Sequence, residues 1–251
     1  MLKIRIIPTL LFDGTTLVKG KKFQSWRTVS SLLQQVRIYA LRNVDEMILL
    51  DISATNNKEK IDLDLIREIT EDVFMPFTVG GGINTIKDIS NLLSNGADKV
   101  SINTAAFNNA DFVREAVRTF GSQCIVISID YRNINNSYKV FTNSGKKNTN
   151  VDLFDYIKKI LELNIGEILL TSIDRDGTML GYDIDLIKEI NELSNVPIIP
   201  SGGAKDYEDM LNLANTTKIT ALAAASIYHF ENQTPKLAKN FLKKNGINIR
   251  M

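Results

Sequence analysis

Cysteine, histidine and tryptophan each occur once in these 251 residues, as Cys124, His229 and Trp26. One cysteine cannot form an internal disulfide, so a reduced, cytoplasmic setting is expected, with Cys124 a small core residue inside an apolar run. One histidine excludes a histidine-rich zinc site, and neither a metal nor a cofactor is expected. Thirty Lys and Arg against 29 Asp and Glu leave a net charge of +1. That balance gives no electrostatic reason to expect nucleic acid or a membrane surface as partner. No apolar run approaches the roughly 18 residues needed to cross a bilayer. The opening Met1-Leu2-Lys3-Ile4-Arg5 lacks a signal peptide's apolar segment, and Pro8 interrupts the apolar stretch after it, so a soluble protein is expected.

What is present is a repeated alternation. Short Ile-, Val- and Leu-rich runs recur at Ile4–Leu10, Met47–Ile52, Phe77–Val79, Lys99–Ile102, Ile125–Ile129, Ile168–Thr171, Val196–Pro200 and Ile219–Ala223. They are apolar on both faces, as strands of a covered parallel sheet are. Between them, Ile61–Ile69, Val151–Leu163, Ile184–Leu193 and Pro235–Leu242 return apolar residues every three or four positions and read as helices. Eight strands alternating with helices over this length predict one (β/α)8 barrel domain spanning residues 1–251. The alternative, an open doubly wound sheet, lacks its Gly-x-Gly-x-x-Gly turn after the first strand. A weak internal repeat supports closure. Phe74–Gly82 echoes Asn195–Gly203, and Leu49–Ser53 echoes Leu169–Ile173 at nearly the same offset. Functional positions are therefore expected in pairs, one from each half-barrel.

Barrel chemistry gathers where strands end on the C-terminal face. Those ends carry Leu11, Asp51, Gly81-Gly82, Asn103-Thr104, Asp130, Thr171 with Asp174 and Asp176, Gly202-Gly203 and Ala225-Ser226. Glycines there let backbone amides approach an anion, although glycines also serve tight turns. Gly82 with Asn103 and Thr104, and Ser201 and Gly203 with Ala225 and Ser226, form matching sets, predicting a substrate with a phosphate at each end. Asp130 closes an otherwise apolar strand, where a charge is costly unless used, and is the candidate general acid or base. Its half-barrel counterpart falls at Leu11, which transfers no proton.

Phe77–Ile83, Ala97–Ala106, Val140–Thr149, Gly166–Thr178 and Ser201–Ala204 closely resemble segments of the cyclase subunit (HisF) family of imidazole glycerol phosphate synthase, and the resemblance runs almost end to end. The related barrel isomerases of the same pathway share the half-barrel phosphate sites but not the last three of these strings intact. The resemblance implies a subunit that takes ammonia from a glutaminase (HisH-like) partner docked on the N-terminal face, in a heterodimer. It would add that nitrogen to a phosphoribulosyl aminoimidazole nucleotide, then cleave and cyclise the adduct to imidazole glycerol phosphate and an aminoimidazole ribonucleotide. Two strand-end aspartates act in that family; Asp130 matches one and Leu11 replaces the other. Phosphate-binding positions carry over as Gly82, Asn103, Thr104, Asp176, Gly177, Gly203, Ala225 and Ser226. Asp51, Thr171 and Ser201 join them at the mouth, and Lys19, in a flexible first loop, matches a family position and joins Asp130 as an expected catalytic residue.

The family's ammonia entrance, a ring of alternating charges at the barrel's bottom, would here be Arg5, Glu46, Lys99 and Glu167; a purely structural salt-bridge ring is the alternative. Asp98 matches a position that meets the glutaminase. Strand one, Arg5-Ile6-Ile7-Pro8-Thr9-Leu10-Leu11, resembles HisF-like paralogues that supply ammonia to a third enzyme amidinating a surface-glycan sugar. Three readings are open: such a specialised amidotransferase subunit, an orthodox histidine-pathway cyclase, or a non-catalytic activator of the glutaminase. Of the remaining singletons, His229 reads as a packed or capping residue and Trp26 as a lid residue or an ordinary loop aromatic. Lys146-Lys147 either hold phosphate or are solvated.

Overall fold

The structure is a computed structural model that describes residues 3–42 and 44–250; Met1, Leu2 and Met251, at the ends of the expected 1–251 span, lie outside the described residues, as does Asn43. Strand β1 (Arg5–Phe12) is followed by β2 (Leu17–Lys21), β3 (Gln24–Ser30) and helix α1 (Leu32–Leu41). Next come β4 (Met47–Asp51), α2 (Ala54–Asn57), α3 (Leu63–Glu71), β5 (Phe77–Gly80), α4 (Ile86–Ser94) and β6 (Lys99–Ile102). The second half opens with α5 (Thr104–Asn108), α6 (Ala110–Phe120), β7 (Ile125–Ile134), β8 (Ser137–Thr142), β9 (Lys147–Asp152) and α7 (Leu153–Leu161). It closes with β10 (Glu167–Ser172), α8 (Ile184–Leu193), β11 (Ile198–Ser201), α9 (Tyr207–Thr216), β12 (Ala221–Ala224), α10 (Ser226–Phe230) and α11 (Pro235–Lys244).

Parallel ladders join β12 to β1, then run β1-β4-β5-β6-β7-β10-β11. β11 lies beside β12, which completes the (β/α)8 ring. Period-two alternation sorts the side chains. On β1, Ile6, Leu10 and Phe12 join the main core beneath the helices, while Ile7 joins a second cluster with Ile48, Val126, Leu169, Ile199, Ala221 and Ala223. That second cluster fills the barrel's interior, as small closed barrels require. Helix starts are set locally. Asp62 accepts from the amides of Asp64 and Leu65, Thr85 and Asp88 form a reciprocal capping box, and Thr234 caps α11 just before Pro235.

Several boundaries differ from the sequence reading. Val151 belongs to β9 and the helix starts at Leu153, because Asp152 caps it by accepting from the Phe154 amide. The seventh and eighth barrel strands start at Ile198 and Ala221, two residues later than expected. The first loop is not a flexible connection. β2 and β3 form an antiparallel hairpin whose Leu17 and Val18 ladder back onto β1, burying Lys19. β8 and β9 form a second hairpin that extends β7.

At the pole where the strands begin, the buried Asp45 carboxylate accepts from the Ile6 amide at 2.9 Å and from Lys239 Nζ at 2.7 Å, tying α11 to β1. Removing a partner from a buried pair strands the other charge, which typically costs about 3–5 kcal/mol. Asp45→Ala is therefore expected to lower unfolding free energy by about that amount in urea denaturation; a loss below about 1 kcal/mol would show that Asp45 is not a structural tie.

Candidate functional site

A cavity of about 330 Å³ opens at the C-terminal mouth, a size that suits a small molecule. It is lined by the strand-end residues Leu11, Asp51, Asn103, Asp130, Thr171 and Ser201. Gly82 and Thr104 flank one side, and Asp176, Gly177, Gly203, Ala225 and Ser226 the other, with Lys19 reaching in from β2. Leu11 and Asp130 thus face the same mouth.

The two sides have matched backbones. Gly81 and Gly82 hold φ of 123° and 63°, and Gly202 and Gly203 hold 89° and 98°. These are left-handed conformations that favour glycine. A Cβ on Gly82 would run into the Glu59 carbonyl, and one on Gly203 into the Gly181 carbonyl. Asn103 (φ −113°, ψ −89°) and Ala225 (φ −134°, ψ −64°) hold similar unusual geometry ahead of the five-residue helices α5 and α10. Some polar groups are already engaged. The Gly82 amide donates to Thr55 Oγ1 at 3.3 Å, and the Asn143 amide donates to Thr104 Oγ1 at 3.0 Å. Asp51 Oδ1 accepts from Ser53 N, Ser53 Oγ and Ala54 N, so that oxygen organises the turn into α2.

Asp130 is buried at the end of the inward-facing row on β7, and Asn103 Nδ2 donates to its Oδ2 at 2.9 Å. Burial pushes its carboxyl up to about 7; the Asn103 hydrogen bond works against this, and the Asp176 charge adds to it. Lys19 Nζ pairs with both Asp176 oxygens, at 2.6 and 2.9 Å, with both residues buried. His229 packs between Tyr39 and Phe230; burial and the Lys19 charge push its pKa down to about 4, which leaves a neutral, weakly basic imidazole. Lys146 and Lys147 do not line the cavity, and Cys124 packs against the main core.

At the opposite pole the four charged residues close a ring. Arg5 bonds Glu46 at 2.7 Å and Glu167 at 2.6 Å, while Lys99 bonds Glu46 at 2.9 Å and Glu167 at 2.7 Å. Burial works to raise the Glu167 pKa, but Arg5 and Lys99 outweigh it and hold that carboxyl below its usual range. Asp98 is exposed on the same pole, and its Oδ2 accepts from the Phe77 amide at 2.8 Å. Thr9, Ser101 and Ser128, buried at the cavity floor, escaped the sequence reading. Each lies two residues before a mouth position, so period-two counting back from Leu11, Asn103 and Asp130 finds them. The hydroxyls of Thr9 and Ser101 have no hydrogen-bond partner among the described residues.

The family described as "Histidine biosynthesis protein" matches residues 5–234. Three proteins called imidazole glycerol phosphate synthase subunit HisF are similar over all of their own length and all of this chain. Those of Natranaerobius thermophilus and Chloroherpeton thalassium are 41% and 42% identical, and that of Streptococcus mutans is 39% identical.

The raised Asp130 pKa carries a stability cost with a definite sign. An unfolded Asp ionises near pH 4, the folded one near 7, so between these values the folded state holds the extra proton. Stability contributed at this position therefore falls as pH rises from about 4 to 7 and is level above that. Asp130→Asn is expected to gain stability over the parent progressively across that window, read by urea unfolding at pH 5 and pH 8; an equal difference at both values would rule out the buried-carboxyl account.

Proposed function

For a chain that belongs to the histidine biosynthesis protein family and is aligned end to end with HisF subunits, we propose a role as the barrel subunit of a glutamine-dependent enzyme. Ammonia enters at the charged ring, crosses the barrel and forms a C–N bond with an acceptor at or beyond the mouth. The observation that carries this reading is the closed ring of Arg5, Glu46, Lys99 and Glu167 at the pole opposite the cavity. A ring in which every charge has two opposite partners can lose one contact and keep all four neutralised, so a small molecule can pass without stranding a buried ion. The unpartnered hydroxyls of Thr9 and Ser101 supply hydrogen-bonding groups on the way. A HisH-like glutaminase docks on the ring pole, where Asp98 is exposed, and one barrel domain over 1–251 forms the other half of the heterodimer. The lone Cys124 agrees with a cytoplasmic complex.

The finer reading turns on Leu11. At the mouth, Asp130 holds a pKa suited to proton transfer at neutral pH, and Leu11 opposite it offers none. Loss of one proton-transfer group typically costs about 10²–10⁴ in rate. That loss, together with the resemblance of Arg5–Leu11 to such paralogues, supports reading the chain as a specialised paralogue whose ammonia amidinates a surface-glycan sugar. The orthodox cyclase is the second reading, favoured by Asp130 and both glycine sets at the same mouth.

With free ammonia and the phosphoribulosyl aminoimidazole nucleotide, the parent chain is expected to turn over at least about a hundredfold more slowly than an orthodox cyclase, and Leu11→Asp to recover part of the loss. Ordinary cyclase rates in the parent would hand the case to the histidine pathway. With glutamine and the glutaminase partner, Glu46→Ala and Lys99→Ala are expected to uncouple glutamine hydrolysis from product while free-ammonia turnover persists. Unchanged coupling would make the ring structural only, and glutaminase activation with no ammonia transfer would mark the chain as a non-catalytic activator.

A further inference from the structure

We infer that Trp26 is a specificity-determining wall of the mouth, taking the face of a ring carried by a phosphorylated ligand whose phosphate lies by Gly177 and Gly203. The inference rests on the phosphate-binding role expected of Gly177 and Gly203, and on the second reading of the proposed function, in which both glycine sets serve the mouth. The β2–β3 hairpin turns through Lys22 and Phe23, with φ of 54° and 60°. Two-residue hairpin turns of this hand favour Asn and Gly, and a bulky residue there is strained. The strain is held in place by docking. Lys22 N donates to the Asp176 carbonyl at 2.8 Å, Lys19 pairs with the Asp176 carboxylate, and the Arg27 guanidinium sits 3.8 Å from the Phe230 ring centroid.

Within this clamped hairpin the ladder is irregular. Lys19 pairs with Arg27 and Lys21 with Gln24, so Gly20 alone faces both Ser25 and Trp26. This is a β-bulge, with Ser25 at φ 52°, and bulges beside sites re-aim a side chain. Gly20 is needed on the facing strand: a Cβ there would come within 2.9 Å of Trp26 Cε3 and would collide with the Gln24 carbonyl. The Gly20 carbonyl in turn lies against Gly177, where a Cβ would overlap it. The Trp26 indole thus adjoins Gly20, whose carbonyl abuts Gly177, and both Trp26 and Gly177 line the cavity. A hairpin closes without a bulge or a glycine at this point; together they seat an indole. That indole lines the cavity and stays 39% exposed, the chain's sole tryptophan left open to a ligand. The Phe23 ring approaches it, centroids 6.5 Å apart, and a part-exposed pair of aromatics lining the cavity beside a phosphate site suits a sugar or heteroaromatic ring.

Because the tryptophan is unique, its fluorescence reads this wall directly. The full chain is titrated with glycerol 3-phosphate, which has no ring, with N-acetylglucosamine 6-phosphate and with aminoimidazole ribonucleotide. At least one ring-bearing probe is expected to bind more tightly than glycerol 3-phosphate and to change indole emission; which one does so separates a sugar acceptor from an imidazole nucleotide. By calorimetry, Trp26→Leu is expected to weaken that probe by up to about tenfold, to leave glycerol 3-phosphate unchanged, and to be rescued by Trp26→Phe, with unaltered thermal unfolding as the folding control. Equal affinity of the ring-bearing probe for parent and Trp26→Leu, binding without a change in emission, or no preference over glycerol 3-phosphate would overturn the inference and leave the phosphate site standing. No binding of any probe would overturn both.

Discussion

Closing eight parallel strands into a ring sends every second side chain inward, and the rest of the molecule is arranged around that constraint. β1 places Arg5, Ile7, Thr9 and Leu11 in a row from one pole to the other, and β7 with its neighbour β10 does the same with Val126, Ser128 and Asp130 and with Glu167, Leu169 and Thr171. The interior is therefore layered: a charged floor, an apolar band, a band of small hydroxyls, then the mouth. Four charges are tolerated at the floor because each finds two opposite partners, which offsets the desolvation that an isolated buried ion would suffer.

At the mouth the half-barrel symmetry is retained in the backbone and broken in the chemistry. Paired left-handed glycines and the matched conformations of Asn103 and Ala225 repeat across the axis. Asp130 and Leu11 do not. A carboxylate that burial drives towards neutrality faces an aliphatic side chain, so a titratable group stands on one half of the mouth and none at the matching place on the other. Lys19 and Asp176 pair nearby, each offsetting the other's buried charge.

Two hairpins lie over this mouth. The turn of β2–β3 brings Phe23 against Gly145 at the turn of β8–β9, and a Cβ on Gly145 would come within 2.7 Å of the Phe23 ring. The first hairpin also rests on Gly177, so the segment that carries Lys19 and Trp26 is registered against the glycine loop of the second half-barrel.

Strand identity, barrel closure and the strand-end residues were legible in the linear chain, because period-two alternation and turn glycines are local properties, whereas the four residues of the charged ring were picked out through the family resemblance. The same locality explains what was not legible. That Leu17–Ser30 forms a hairpin with β2 buried and β3 outermost depends on Lys19 meeting Asp176, a contact 157 positions apart. The bulge that carries Trp26 depends on how β2 and β3 pair around Gly20, and the two-residue delays in β11 and β12 depend on where pairing with neighbouring strands begins. Asp130 could be picked out by type and position, but its pKa near 7 required knowing how completely the barrel buries it and that Asn103 and Asp176 are its neighbours. Sequence determined which residues could serve the site; only the tertiary structure decided their protonation and their partners, because desolvation and long-range contacts exist only once the ring has closed.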